Sequence, residues 1–227
     1  MLASEEELRP LLRKMHDDWD VRARANALFY VNCAQQAWSD EDFFRTGELN
    51  IAEQILTDME NVCQGARPKE MRVLEIGCGA GRLTRSLANV FGEVHAVDVS
   101  PEMIGLAKKK LADFPNVFLY TNNGLDLAPL PDVPFDFAFS FIVFQHIPSR
   151  EVIASYVREV HRLLRPGALF KLQVQGCCDL RTTPDDTWLG FAFSPEEVSA
   201  LAAECGFECR YRVGAGTQYF WAWFFKM

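Results

Sequence analysis

A chain of 227 residues, 49% hydrophobic and 24% charged, has the balance of a globular protein large enough for one large α/β domain or a domain with an appendage. With 23 Lys and Arg against 31 Asp and Glu, the formal net charge is −8, which argues against a phosphate backbone, and so nucleic acid, as the main partner. The apolar runs are too short to span a bilayer, and the N-terminus "MLASEEELRP" lacks the basic-then-apolar pattern of a secretion signal, so a cytoplasmic protein without membrane attachment is expected.

From Glu5 to about Cys63 the apolar residues recur every three or four positions, a helical pattern with no strand signal. Ser39 followed by acidic residues marks a helix start. The segment is rich in aromatics, including Trp19, Tyr30 and Trp38. Residues 1–66 are therefore expected to form a helical cap, either a flap packed on a core or a lid over a ligand, and residues 67–227 the main domain.

From Met71 onward strands and helices alternate. "RVLEIGC" is a short buried strand leading through a Gly-rich turn into the helix "RLTRSLANVFG". "EVHAVDVS" is the next strand, and Ser100 with Pro101 opens the following helix as N-cap and N1. "VFLYTNN" and "FDFAFSFIVF" are expected strands. They are followed by the helix "SREVIASYVREVHRLLRPG", closed by Pro166-Gly167, and the strand "ALFKLQVQ". Ser194, Pro195 and Glu197 form a capping box before the last helix. "FECRYRVG" and "TQYFWAWFFK" have a short Gly-rich connection and should pair antiparallel. Such alternation implies a largely parallel sheet with helices on both faces.

Seven cysteines, with no C-x-x-C pair, suggest reduced thiols and no metal site.

The most informative stretch is "VLEIGCGAGRLT". Gly77, Gly79 and Gly81 follow a strand and open a helix, where glycine permits positive φ and close approach of a ligand to the backbone. The next strand ends in Asp98, whose carboxylate can accept two hydrogen bonds from ribose hydroxyls. The dinucleotide fingerprint G-x-G-x-x-G would require glycine at the position of Arg82. The pattern here is G-x-G-x-G, which suits a ligand without a pyrophosphate.

"EIGCGAGRLT", "VHAVDVSPEMIGLAKK", "PFDFAFS" and "LLRPGALF" resemble, in order and spacing, the successive motifs of class I S-adenosylmethionine-dependent methyltransferases, over roughly Met71 to Gln175. The resemblance implies a Rossmann-like seven-stranded sheet with its last strand antiparallel, and S-adenosylmethionine as cofactor. Carried onto this sequence, it places Gly77, Cys78 and Gly79 under the methionine part and ribose, and Asp98 on the ribose hydroxyls. Met103 would pack against adenine or belong to the core. Asn123 falls where the family often has an acidic residue facing the adenine amino group, with Asp126 nearby. Val99, Gly124, Leu125 and Phe141 complete the expected cofactor-binding set. Glu75, inside its strand, either orients the loop or contacts the ligand.

The tip of the fourth strand, "SFIVFQHIPS", borders the transferring methyl in this family. Gln145 and His146 are thus candidate acceptor contacts. His146 is also the candidate general base, with a loop-capping role as the alternative. Tyr30 and Trp38 are candidates for the acceptor pocket, and Arg22, Arg24 and Arg181 for pairing with a carboxylate. The expected activity is methyl transfer to a small-molecule acceptor. A protein or peptide methyltransferase and a non-catalytic partner subunit are the alternatives. No oligomeric state follows from the sequence.

Overall fold

The computed structural model describes residues 5–179, 183 and 185–227. Its N-terminal part is helical: α1 (Glu5–Val31), α2 (Asp40–Gln54) and the short α3 (Met59–Cys63). Helix α1 breaks at Asn26, whose backbone leaves the helical region (φ −168°, ψ 81°). The Asn26 carboxamide then caps the last stretch, its Oδ1 accepting from the Phe29 N–H at 3.2 Å. Ser39 caps α2 as expected, accepting from the Asp42 N–H.

The rest is an alternation of β1 (Arg72–Ile76), α4 (Thr84–Val90), β2 (Glu93–Asp98), α5 (Pro101–Lys110), β3 (Val117–Thr121), β4 (Phe135–Ser140), α6 (Arg150–Leu163), β5 (Leu164–Val174), α7 (Pro195–Glu204), β6 (Phe207–Val213) and β7 (Phe220–Lys226). The strands form one seven-stranded sheet in the order β3-β2-β1-β4-β5-β7-β6. Strands β1 to β5 run parallel, and β7 is antiparallel to both β5 and β6. The strand order reverses between β1 and β4, and ligand sites of such sheets lie beside that switch at the carboxyl ends.

Period-two alternation explains the layers. Leu74, Ile76, Ala138, Phe170 and Leu172 pack on α6 and α7 through Val157, Val160 and Leu201. Their neighbours Val73, Phe137, Phe139 and Leu169 face the other way, onto Val62 of α3, Leu83 just before α4 and Leu87 within it. Both sheet faces are buried, so the parallel strands read as nearly continuous apolar runs.

Two elements differ from the sequence expectation. Strand β4 stops at Ser140, four residues before Phe144. There the Ser140 hydroxyl donates to the Ile76 carbonyl at 3.1 Å and Ile142 takes a left-handed conformation (φ 58°). A single 3₁₀ turn, Phe144–His146, follows. A β-branched residue is strained at positive φ. Its N–H is held by the Gln173 Oε1 at 2.9 Å, a contact from β5 that no local pattern announces. Helix α6 ends at Leu163, and β5 begins at once, before Pro166-Gly167. Pro166 disfavours helix in the residue before it. The register shift between Phe135 and Phe137 absorbs the extra residues opposite.

Candidate active site

The carboxyl ends of β1, β2 and β4 open into a cavity of about 820 Å³, counting space continuous with solvent. Its roof is α1, which contributes Met15, Trp19, Tyr30 and Val31. Three contacts fasten that roof. The Ser100 hydroxyl donates to the buried Asp20 carboxylate. Arg24 bonds Glu102 at 3.0 Å and Asp20 at 3.1 Å. Arg22 lies over Trp19 and Trp188 (4.7 and 5.3 Å to the ring centroids) and donates to the Thr187 carbonyl and hydroxyl.

On the cavity floor the glycine turn folds across onto β2. The N–H groups of Gly77 and Cys78 both donate to the Val97 carbonyl, at 2.8 and 3.0 Å. Gly77 has φ +75°, and a Cβ there would lie 2.2 Å from Val143. Gly79 has φ +52°, and its Cβ would lie 2.7 Å from Val31 of the roof. Glycine is demanded at both positions by conformation and by room.

Asp98, at the tip of β2, receives the Gly79 N–H on Oδ2 at 2.8 Å and the Ser100 N–H on Oδ1 at 2.9 Å. Each oxygen keeps a lone pair for a further donor. Burial pushes this carboxyl up to about 6, against the pull of those backbone donors. Glu75 is pushed up further, to about 7, by burial, opposed by the Thr84 hydroxyl donating at 2.6 Å. Val99, Met103 and Cys78 complete the floor and one side.

Asn123, Gly124 and Leu125 are not on the cavity wall. Asn123 is exposed and folds its own loop, its Oδ1 accepting the Leu125 and Asp126 N–H groups at 2.9 Å each. Gly124 is covered by Val99 and Leu12. The residue that faces the cavity is Asn122, which is buried. Its Nδ2 donates to the Asp126 carbonyl at 3.0 Å and the Tyr156 hydroxyl at 2.7 Å. Its Oδ1 has no partner among the described residues, although buried acceptors are normally paired. The exposed stretch after β3 carried no signal separating the two asparagines. The Tyr156 hydroxyl, from mid-helix, was equally unmarked.

On the opposite side stand Phe141, Ile142, Val143 and His146. The His146 Nδ1 lies 2.5 Å from the Trp188 carbonyl oxygen, so Nδ1 carries the proton. Nε2 then accepts from the Gln145 amide at 3.2 Å. The Gln145 Oε1 in turn accepts from Gln173 Nε2 at 3.0 Å. Burial lowers the imidazole to about 4, only partly offset by the bond to Trp188. Its ring is edge-on to Trp19 at 5.2 Å. Gln145 is buried behind His146 and off the cavity wall. Trp38 is also off the wall, its indole N–H donating to the Asn32 carbonyl at 2.8 Å and its ring packing on Phe43. Arg181 lies outside the described residues.

Residues 73–167 match a family model described as a methyltransferase domain. A demethylmenaquinone methyltransferase from Lysinibacillus sphaericus is 29% identical over 101 residues, 43% of this chain and 42% of that protein. A ubiquinone biosynthesis O-methyltransferase from Xanthomonas axonopodis is 31% identical over 110 residues, 48% of this chain and 45% of that protein. The chain thus matches less than half the length of these curated relatives. Among solved structures, magnesium protoporphyrin IX methyltransferase from Synechocystis, with bound SAM, superimposes with a TM-score of 0.66 at 15% identity, covering 96% of this chain and 97% of that one. Residues 73–167 are thus similar to a methyltransferase domain, and the seven-stranded sheet around them has the fold of the Synechocystis enzyme.

Proposed function

We propose that this protein transfers a methyl group from S-adenosylmethionine to a small-molecule acceptor. The observation that carries this reading is the juxtaposition of Asp98 with the Gly77–Gly79 turn on one roofed cavity, beside an unpaired Asn122 oxygen. The donor set fits the cofactor. Asp98 has lone pairs for two ribose hydroxyls, and the Asn122 Oδ1 can accept from an adenine amino group. Val99 and Met103 offer an apolar edge for the base.

When bound, the cofactor supplies an electrophilic methyl on a sulfonium, and transfer is an in-line displacement governed by placement. The chain's own contribution is orientation and exclusion of water. Residues to about 66 act as the lid, with Trp19, Tyr30 and Val31 closing over the floor. The lid supports a small acceptor over a peptide laid in an open groove. The net charge of −8 weighs against nucleic acid. The named activities of the two curated relatives favour an acceptor of the quinone-precursor kind.

His146 anchors the acceptor wall in this reading. Its remaining lone pair is occupied by Gln145, and a group held near 4 is a weak proton acceptor at neutral pH. Incubation with S-adenosylmethionine and a panel of demethylated quinols tests the proposal. Formation of S-adenosylhomocysteine that depends on one of them supports it. No turnover with any small phenol, quinol or amine, alongside methylation of a peptide library, would replace the small acceptor by a peptide.

A further inference from the structure

Among the described residues two besides glycine have positive φ, Gln64 and Ile142, and only Ile142 is β-branched. Gln64 is the left-handed cap of α3. Ile142 closes no helix, and backbone strain of its kind collects at functional sites, where the surroundings impose it. Here it is imposed by Gln173, which is fully buried on β5. Its Oε1 accepts the Ile142 N–H at 2.9 Å. Its Nε2 lies 2.6 Å from the Gln218 carbonyl oxygen, 2.8 Å from that of Val174 and 3.0 Å from Gln145 Oε1. One carboxamide thus fixes the turn after β4 against the loop before β7.

The strained turn builds a partition. Phe141 and Ile142, with Arg82, line the inner cavity and also a second cleft of about 930 Å³, counting space continuous with solvent, between α2 and the start of β7. Arg82 is tied to α2, its Nη1 donating to Asn50 Oδ1 at 2.5 Å. On the cleft side Phe141 stacks on Trp221, with 4.9 Å between centroids, and lies tilted against Tyr219 at 6.2 Å. Tyr219 is 47% exposed and Leu49, on the α2 wall, 64% exposed, so the fold leaves two large apolar groups uncovered at one opening. The amides of that wall are engaged within the chain, Asn50 by Arg82 and Asn32 by Thr46. Glu53 is the one acid on it, and its carboxylate has no partner among the described residues.

The geometry points to this outer cleft as the docking site of the methyl acceptor, and to a planar ring carrying two hydroxyls as what it takes. Phe141, Tyr219 and Trp221 supply the aromatic faces on which such a ring packs. The Glu53 carboxylate accepts from the outer hydroxyl and disfavours an anionic acceptor. The inner hydroxyl meets the partition, with the Ile142 side chain as the gate between it and the cofactor cavity. Its oxygen forms the new O–C bond as the S–C bond breaks, the electron pair staying on sulfur and the phenolic proton passing to the solvent of the open cleft. The inference rests on the methyl-transfer reading of the inner cavity.

Fluorine NMR of the full chain labelled with fluorotryptophan reports on both spaces. Its five tryptophans include Trp19 of the inner roof, Trp221 of the cleft, and Trp38 and Trp223 on neither wall. S-adenosylhomocysteine should shift Trp19. Hydroquinone, kept reduced by ascorbate and added to that complex, should shift Trp221 and leave Trp38 and Trp223 in place. Its dimethyl ether, para-dimethoxybenzene, keeps the ring but has no hydroxyl, and should bind about threefold or more weaker. Tyr219→Ala should weaken hydroquinone by about two- to tenfold. It should leave S-adenosylhomocysteine within about twofold, because Tyr219 is off the inner wall. Glu53→Ala should remove the preference for hydroquinone over its ether. Both side chains are exposed, so their truncation spares the fold. The proposal is overturned if hydroquinone leaves Trp221 unmoved at tens of millimolar, or shifts Trp19 instead. It is equally overturned if Tyr219→Ala leaves hydroquinone affinity unchanged, or Glu53→Ala keeps the full preference over the ether. If S-adenosylhomocysteine fails to shift Trp19, the cofactor reading has failed. Hydroquinone added alone then still decides, through Trp221 and Tyr219→Ala, whether the cleft takes the ring.

Discussion

The His146 imidazole donates from Nδ1 to the Trp188 carbonyl across 2.5 Å, joining the turn after β4 to the segment before α7. One bond thereby ties two walls of the cavity, and through Trp188 it reaches Arg22 on the roof. The bond also selects the neutral tautomer, leaving Nε2 to accept from Gln145.

That arrangement has a pH signature. The folded His146 is lowered from 6.5 to about 4, so the fold binds its neutral form while the unfolded chain takes up a proton below 6.5. Its stabilisation is fully present above 6.5 and is lost as pH falls toward 4. Relative to His146→Phe, the wild type should lose about 2 kcal/mol between neutral pH and about pH 5, at about 1.4 kcal/mol per unit. Urea unfolding of both proteins at the two pH values measures this. Parallel pH profiles would show that His146 is not held neutral. Glu75 and Asp98 are raised and work in the opposite direction, losing stabilisation as pH rises through about 7 and about 6, which is why the comparison is made between variants.

Two glycine substitutions should have opposite signs. Gly77→Ala meets both a positive φ of +75° and Val143 at 2.2 Å, and should destabilise by about 2 kcal/mol or more. Gly105, inside α5, has nothing within 4 Å of its absent Cβ, so Gly105→Ala should stabilise by about 0.5–1 kcal/mol. Thermal unfolding of the pair is sufficient. A tolerated Gly77→Ala would contradict the tight seating of the turn.

Asn122 and Asn123 distinguish the proposed ligand contact from a loop contact. Asn122→Ala should weaken S-adenosylhomocysteine binding by about tenfold, through the lost acceptor and the loosened Tyr156 contact. Asn123→Ala should leave affinity within about threefold, since its bonds stay within its own loop. Equal effects on affinity would remove Asn122 from the adenine position.

Arg22→Ala should loosen the roof. The side chain stacks on Trp19 and Trp188 and holds Thr187, contacts together worth about 1–3 kcal/mol. Amide hydrogen exchange along α1 should accelerate around Trp19 while the sheet remains protected. Unchanged exchange would mean that the roof is held by Asp20 and Ser100 instead.

The sheet was legible because both of its faces are buried and its turns are punctuated by Gly, Pro and Ser caps, local features that survive into three dimensions. Gly77, Gly79 and Asp98 were legible for the same reason: backbone conformation and strand-end position leave residue-type signatures. Asn122, Tyr156 and Arg82 were not, because what brings them to the cavity is packing between elements far apart in the chain. The early stop of β4 was hidden likewise, since Gln173 from a different strand holds Ile142 in its left-handed turn. Trp38 shows the converse limit, an aromatic in the N-terminal helical segment that packs on Phe43 of α2 and takes no part in the cavity wall.

The central claim is that Asp98 and the glycine turn form a cofactor site. Isothermal titration of wild type and Asp98→Ala with S-adenosylhomocysteine tests it most directly. The account predicts saturable one-site binding to the wild type and a loss of about a hundredfold or more in the variant, the scale of two hydrogen bonds to a charged group at about 1.5–3 kcal/mol each. Absence of binding to the wild type at millimolar ligand, or equal affinity of the two proteins, would contradict it.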